Sequence, residues 1–218
     1  MVRALAARGV PAASHTRAGL SGSDPAPQAP TPGAHVADMA ALLDAMGQGG
    51  PVVLIGHSMA GFRLHLFAAR HPGRVAGLVL VDAMVPGGVP RALIGAFANA
   101  LRPVERTLPA FCRTAEAYPN AMRLGGRERA DKLASVYSAD HLRATRQEVA
   151  LVARADIRVD HGAPMVLMPA GRVARGSAAL ADRTGARVID MRAWGHASVL
   201  SPEPAGAIAD AALTLLER

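Results

Sequence analysis

Ser58 is the side chain in this sequence that is best placed to act as a nucleophile. Four apolar residues at 52–55, enough for a short buried parallel strand, run directly into the segment GHSMAG at 56–61, and an apolar helical pattern follows. The pattern predicts a strand, a tight turn and a helix, with Ser58 at the tip of the turn. The residues two before and two after it, a glycine and an alanine, are small, as a strained turn requires. The N–H of Met59 then lies near the start of the helix, where developing negative charge is favoured.

A serine hydroxyl is a weak nucleophile at neutral pH, so its chemistry depends on two further side chains. It needs a base within hydrogen-bonding reach, and an acid that fixes the tautomer of that base and holds its charge. The sequence offers eight histidines as candidate bases. Asp82 is a candidate acid because it directly follows the apolar run at 75–81. It therefore falls at the carboxyl end of a parallel strand, the edge where open α/β sheets place their ligands.

The elements that must position these residues alternate between strands and helices. Strands and helices are predicted in turn at 10–14, 35–46, 52–55, 62–70, 75–81, 164–168, 177–183, 187–191 and 204–216. Strands joined by helices through short connections indicate right-handed parallel crossovers. The fold class is therefore α/β, with a mostly parallel open sheet flanked by helices. We expect one domain, 1–218, with the segment 87–158 inserted in it as a series of helices, predicted at 89–101, 104–118, 127–137 and 139–155.

Composition excludes several other classes of protein. The net charge is +7, but the basic residues are almost all arginines scattered singly, and aromatic residues make up 3% of the 218, so no nucleic-acid partner is expected. No apolar run approaches the length of a membrane span, and no apolar signal-peptide core is present at the start. We expect a cytoplasmic protein, in which the single Cys112 forms no internal disulfide and acts as a small apolar filler.

The segment GHSMAG resembles the G-x-S-x-G turn of the α/β-hydrolases, with Ala60 in place of the last glycine. The residues HTRAGLSGSDP at 15–25 are similar to a loop of that family, D-R-x-G-x-G-x-S-D-P, with Thr16 at the aspartate position. The resemblance covers nearly the whole chain. It implies the α/β-hydrolase fold, in which 87–158 forms a helical lid over the active site. The apolar residues of this lid either line a substrate pocket or pack the lid on the core.

The resemblance also implies the roles of the site residues. Ser58 becomes the nucleophile, and the N–H of Met59 binds the oxyanion. His196 becomes the base, because Gly195-His196 follows the last strand and precedes the last helix, where the family carries its catalytic histidine. His57 lies inside the turn and is expected to point elsewhere. No metal and no organic cofactor is needed.

The resemblance leaves the position of the acid open. Many members of the family place it in the loop after the strand that is predicted here at 164–168, but this loop reads PAGRVARGS and contains no carboxylate. Asp82 remains, at a position that some members use. Asp190, inside the last strand, and Asp182, on a helix face, are weaker candidates.

The family's first three strands, and the H-G loop that supplies one oxyanion N–H, would precede residue 1. We therefore expect an N-terminally shortened fold. Without the third strand, the strands at 10–14 and 52–55 either pair with each other or leave 52–55 as an exposed apolar edge.

Two functions remain open from the sequence. The first is a serine hydrolase that cleaves a small ester or related acyl compound through an acyl-enzyme on Ser58. The alternative is a catalytically impaired hydrolase-like fragment, or a protein that binds a ligand or partner, because the oxyanion loop is missing. Epoxide hydrolase or dehalogenase chemistry is disfavoured, since those relatives carry an aspartate where Ser58 stands.

Overall fold

The computed structural model of the protein describes residues 1–18, 20, 23–24, 31–87, 90–106, 122–136, 139–154, 157, 159–171 and 174–217. The chain divides into two compact units. The sheet unit comprises Met1–Pro11, Gly33–Val89 and Asp156–Arg218. The helical unit comprises Ala12–Pro32 and Pro90–Ala155.

Four strands and eight α-helices are formed by the described residues. In chain order they are α1 (Val2–Ala6), α2 (Pro32–Ala45), β1 (Val52–His57), α3 (Ala60–Arg70), β2 (Val75–Val81), α4 (Arg91–Arg106), α5 (Gly126–Val136), α6 (Ala139–Arg154), β3 (Met165–Met168), α7 (Ala174–Thr184), β4 (Arg187–Val188) and α8 (Ala205–Leu216). Two short 3₁₀ turns lie at Pro72–Arg74 and Ser198–Leu200.

The strands form one parallel sheet in the order β1-β2-β3-β4. The register places His57, Val81 and Met168 side by side at the carboxyl ends of the first three strands. The residues that follow these three strands, among them Ser58 and Asp82, therefore emerge at one edge of the sheet. The predicted fold class, a mostly parallel sheet flanked by helices, is confirmed.

Packing on both faces of β2 explains its continuous apolar sequence, since both faces are buried. On one face, Leu78 and Leu80 belong to a core cluster that also includes Val36 of α2 and Phe67 of α3. On the other face α8 packs closely, because β2 carries Gly77 there. A Cβ on Gly77 would lie 2.8 Å from Cδ1 of Leu215, so any larger residue would require Leu215 to shift.

The strand expected at 10–14 is absent, and that prediction is wrong. The described residues 10–14 have no regular secondary structure, and the N–H of Val10 instead caps α1 by donating to the carbonyl of Leu5. Pro11 has no N–H for a sheet ladder, and the small side chains after it can bury little apolar area. Of the two alternatives for β1, pairing with 10–14 is excluded. Among the described residues β1 pairs with β2 alone and forms an edge of the sheet.

The last strand is shorter than expected. Its regular part is Arg187–Val188, whereas the sequence pattern predicted 187–191. The ladder nevertheless continues through two hydrogen bonds, from Ile189 N–H to the Leu167 carbonyl and from Met191 N–H to the Pro169 carbonyl. Beyond the strand, the side chain of Asp190 accepts a hydrogen bond from the N–H of Arg192, and the chain turns.

In the helical unit, α4 packs against α6. The expected break between helices at 89–101 and 104–118 is wrong, because α4 continues without interruption to Arg106. The rest of the second predicted helix, and with it Cys112, lies outside the described residues. Helices were also predicted at 127–137 and 139–155, and they correspond to α5 and α6.

The loop that resembles the D-R-x-G-x-G-x-S-D-P segment is tied to α6 by an ion pair. The guanidinium of Arg17 donates to the carboxylate of Glu148, which is buried. Burial also lowers the pKa of Arg17. The arginine of this loop therefore holds the loop within the helical unit.

No helix in the described part of the chain has both the length and the apolar character that crossing a membrane requires.

Candidate active site

The turn after β1 holds Ser58 in a left-handed backbone conformation, with φ 56°. Its carbonyl accepts two hydrogen bonds, from the N–H of Gly61 at 3.1 Å and from the N–H of Met84 at 2.8 Å. The first bond closes the turn into α3, and the second attaches it to the segment after β2. A non-glycine residue in this conformation is strained, and the two bonds are what fix it there.

Close packing explains why the residues around Ser58 are small. A Cβ on Gly56 would lie 2.6 Å from Cδ1 of Leu64 and 3.0 Å from the Cβ of Ala60. A Cβ on Gly61 would lie 2.3 Å from the carbonyl oxygen of Met84. The space at position 60 admits alanine, so the departure from the family's final glycine leaves the turn intact.

Three of the side chains singled out in the sequence form a continuous hydrogen-bond chain. His196 Nε2 lies 3.1 Å from Ser58 Oγ, and His196 Nδ1 lies 2.6 Å from Asp82 Oδ2. A carboxylate only accepts, so Nδ1 carries the proton and Nε2 is left to accept from the serine hydroxyl. The structure thus brings together Ser58, His196 and Asp82 in the arrangement that activates a serine.

Asp82 is held from two sides. It is 2% exposed and has a left-handed φ of 40° at the end of β2. Its second oxygen, Oδ1, accepts the N–H of Ala170 at 2.9 Å. Ala170 belongs to the loop after β3, where many relatives carry the acid and this sequence has none. That loop contributes a backbone donor instead, a group with no signature in the sequence.

The loop that carries His196 is fixed by hydrogen bonds on both sides. The carbonyl of Trp194 accepts the N–H of Gly171 at 3.0 Å, which joins this loop to the one after β3. The N–H of Gly195 donates to Ser198 Oγ at 2.8 Å. The side chain of His196 remains 47% exposed, so one side of the imidazole is open to an incoming substrate.

His57 does not point away from the site, and that expectation is wrong. Its Nε2 lies 2.8 Å from the backbone carbonyl of His196, and the two imidazole rings are 4.4 Å apart, centroid to centroid. The one available signal in the sequence was the position of a histidine next to Ser58. The partner lies 139 residues later, so only the fold reveals the contact.

Met59 lies at the N-cap of α3, directly after Ser58. The first N–H groups of a helix have no partner inside the helix, and the helix dipole favours negative charge at this end. The backbone of Met59 therefore lies at the positive end of the helix dipole, and its role as an oxyanion donor stays a prediction.

The other two candidate acids, Asp190 and Asp182, take no part in the hydrogen bonds that join Ser58, His196 and Asp82. Asp190 pairs with Arg192, whose hydrogen bonds lower the pKa of that exposed carboxyl to about 2. Asp182 is exposed on α7. Within the described ranges, no group of three or more histidine, cysteine, aspartate or glutamate side chains is arranged to hold a metal ion.

Two other features of the sheet unit are separate from the Ser58 turn. An open groove of about 440 Å³ lies at the amino-terminal ends of β3 and β4, lined in part by Asp160 and Arg187. It is therefore at the end of these strands opposite to the site. His65 of α3 is completely buried, and its Nδ1 lies 2.9 Å from His161 Nε2.

Burial keeps His65 neutral. Desolvation, with a smaller contribution from His161, lowers the pKa of His65 to about 3. The N–H of Ala163 lies 3.2 Å from His161 Nδ1, which must accept it, so a neutral His161 donates from Nε2 to His65.

The chain resembles several known proteins. Its residues 1–211 match the model of the alpha/beta hydrolase family. It is 55% identical over 53 residues to the lipase LipV of Mycobacterium tuberculosis. This match covers 24% of this chain and 20% of LipV. It is 43% identical over 68 residues to the mouse sn-1-specific diacylglycerol lipase ABHD11. This match covers 31% of this chain and 22% of ABHD11. The matched segments thus span about a fifth of either lipase.

Solved structures show the same fold. A thermophilic esterase from Thermogutta terrifontis superposes with a TM-score of 0.70 at 20% identity, over 92% of this chain and 77% of the esterase. A probable hydrolytic enzyme from Pseudomonas aeruginosa superposes with a TM-score of 0.64, also at 20% identity, over 90% of this chain and 72% of that enzyme. With the family match over almost its full length, the chain belongs to the alpha/beta hydrolase family.

Proposed function

We propose that this protein is a serine hydrolase that cleaves a small carboxylic ester through an acyl-enzyme on Ser58. The observation that carries the proposal is the hydrogen-bond chain from Ser58 Oγ through both nitrogens of His196 to the buried Asp82. Each link has the length and polarity that proton transfer from the serine needs.

In the first half of the reaction, Ser58 Oγ attacks the carbonyl carbon of the ester while its proton moves to His196 Nε2. The imidazolium that forms is held by the carboxylate of Asp82. The carbonyl oxygen becomes an oxyanion, which the N–H of Met59 stabilises. His196 then gives its proton to the leaving alkoxide, an alcohol departs, and the acyl group remains on Ser58.

The second half repeats these steps with water. His196 Nε2 takes a proton from a water molecule as its oxygen attacks the acyl carbon. Collapse of the second tetrahedral intermediate returns the proton to Ser58 Oγ and releases the carboxylic acid. The side chain of His196 is 47% exposed, which gives water access to the base.

The relatives support an ester as the substrate class. LipV and ABHD11 are both described as lipases, and the Thermogutta terrifontis protein as an esterase. We therefore propose a carboxylic ester as substrate, and p-nitrophenyl esters of increasing acyl length as the series that defines which acyl chains fit. The role of 87–158 as a lid and the cytoplasmic location stay predictions.

The test is covalent labelling by a fluorophosphonate, which reacts with an activated serine. We expect one adduct, which mass spectrometry of the digested protein assigns to the peptide that contains Ser58. Ser58→Ala should abolish both labelling and ester hydrolysis, with a fall in kcat of about a thousandfold or more.

The matched control is Ser201→Ala. Ser201 is 1% exposed, and its Oγ has no hydrogen-bond partner within the described part of the protein, so its loss leaves no polar group unsatisfied. This variant should label and hydrolyse as the wild type does. A folded wild-type protein that neither labels nor hydrolyses any ester of the series would contradict the proposal and favour the ligand-binding alternative.

A further inference from the structure

His57 makes two different contacts with one residue, His196. Its Nε2 is 2.8 Å from the backbone carbonyl of His196, and its ring lies against the His196 ring at a centroid distance of 4.4 Å and an interplanar angle of 35°. A carbonyl only accepts, so Nε2 of His57 donates. One contact holds the main chain of His196, and the other holds the face of its imidazole.

Among the described residues, few contacts restrain the ring of His196. The imidazole of His196 is 47% exposed, and within the described part of the chain its side-chain hydrogen bonds go to Asp82 and Ser58. The bond at Nδ1 acts as a pivot, about which the ring can tilt and carry Nε2 away from Ser58 Oγ. A ring packed on one face opposes that tilt, and His57 supplies it from the residue next to the nucleophile.

We propose that His57 is a positioning residue that keeps His196 Nε2 aimed at Ser58. The proposal rests on the proposed function, in which His196 is the base. It also explains how the turn after β1 and the loop that carries His196 keep their relative position. His57 is the last residue of β1 and leads directly into Ser58, so a clamp from His57 to His196 links the base to the nucleophile's own strand. A displacement of one loop then carries the other with it.

Three variants separate the two contacts. His57→Phe keeps a ring and loses the donor, His57→Gln keeps a donor and loses the ring, and His57→Ala loses both. Because misplacement of the base affects the transition state and not substrate binding, kcat should fall while KM stays nearly constant. We expect a fall in kcat of about tenfold to a hundredfold for His57→Ala, with smaller losses for the other two.

A second readout does not depend on activity. The proton between His196 Nδ1 and Asp82 should give a far-downfield proton NMR signal, and tilting of the ring should broaden or shift that signal in His57→Ala. The control is His71→Ala, which removes a histidine that stacks on Phe67 at the end of α3 and takes no part in the site. Circular dichroism and the fluorescence of the single tryptophan, Trp194, confirm folding.

The outcomes distinguish the two proposals. If the wild type shows the NMR signal and His57→Ala alters it, positioning is supported even where no ester is hydrolysed, and only the proposed function fails. If a folded His57→Ala retains kcat within about twofold and leaves the signal unchanged, the positioning role is overturned. A downfield signal absent from the folded wild type would also overturn it. Should His57→Ala fail to fold, His57→Gln and His57→Phe carry the same test.

Discussion

Asp82→Asn is the substitution that tests the hydrogen-bond chain most directly, and we expect it to lower kcat for ester hydrolysis about ten-thousandfold, or about 5 kcal/mol in the activation free energy. The size of the effect follows from the two bonds made by the carboxylate. Oδ1 accepts the N–H of Ala170 at 2.9 Å, and Oδ2 accepts from His196 Nδ1 at 2.6 Å. Both partners donate, so both positions require an acceptor.

An asparagine amide can satisfy only one of these donors. The N–H of Ala170 is fixed in the backbone, so the amide oxygen turns towards it and the NH₂ group faces His196 Nδ1. Nδ1 must then accept, and the imidazole proton moves to Nε2. In this tautomer Nε2 cannot take the proton of Ser58, although every atom keeps its position.

The assay is hydrolysis of p-nitrophenyl butyrate, with kcat and KM measured separately. KM should change little, because Asp82 is buried behind His196 and has no access to substrate. The matched control is Asp190→Asn, an exposed carboxylate paired with Arg192, which should retain full activity. If a folded Asp82→Asn keeps more than a tenth of the wild-type kcat, Asp82 is not the acid and the tautomer argument is refuted.

Two further predictions concern stability. Gly61→Ala should lower the free energy of unfolding by about 1–3 kcal/mol, because the added Cβ would lie 2.3 Å from the Met84 carbonyl oxygen. Gly95→Ala is the matched comparison, since an added Cβ at this position of α4 has no atom within 4 Å. This second substitution should raise the free energy of unfolding by about 0.5–1 kcal/mol. Thermal denaturation of both variants measures this, and equal effects would contradict the packing argument. Burial, and to a lesser degree His161, lowers the pKa of His65 from 6.5 to about 3, so the unfolded chain binds more protons between these values. The free energy of unfolding should therefore fall as pH is lowered through this window, by up to about 1.4 kcal/mol per pH unit, and His65→Leu should reduce that slope in urea denaturation at pH 7, 6 and 5.

Local sequence was sufficient to predict the turn at Ser58 and the strand that leads into it. Apolar runs and small residues dictate the geometry around Ser58 within a dozen positions, and such short-range rules can be read directly. The end of β2 at Val81 was also predicted correctly, so Asp82 could be placed at the correct edge of the sheet. Its link to His196, 114 residues away, depended on the resemblance to a family and not on any local rule.

The features that could not be predicted depend on backbone groups or on distant contacts. The N–H of Ala170 is identical in chemistry to every other amide, so nothing in the sequence marks it as a partner of Asp82. His57 was assigned no role because its partner lies in another loop. At 10–14 the alternation of elements suggested a strand, but Pro11 and small side chains give a sheet too little to bond or bury.

Under the proposed mechanism, the left-handed backbone at Ser58 and Asp82 sets turnover against stability. Each has a positive φ, at the tips of neighbouring strands, and each such conformation costs a non-glycine residue roughly 1–2 kcal/mol. Glycine at either position would relax the main chain and delete the functional group. Variants selected only for heat resistance would therefore tend to lose these two side chains, whereas under the proposed mechanism selection for turnover would retain them. An engineered, more stable form of this protein should therefore keep Ser58 and Asp82 and gain its stability from substitutions at other positions.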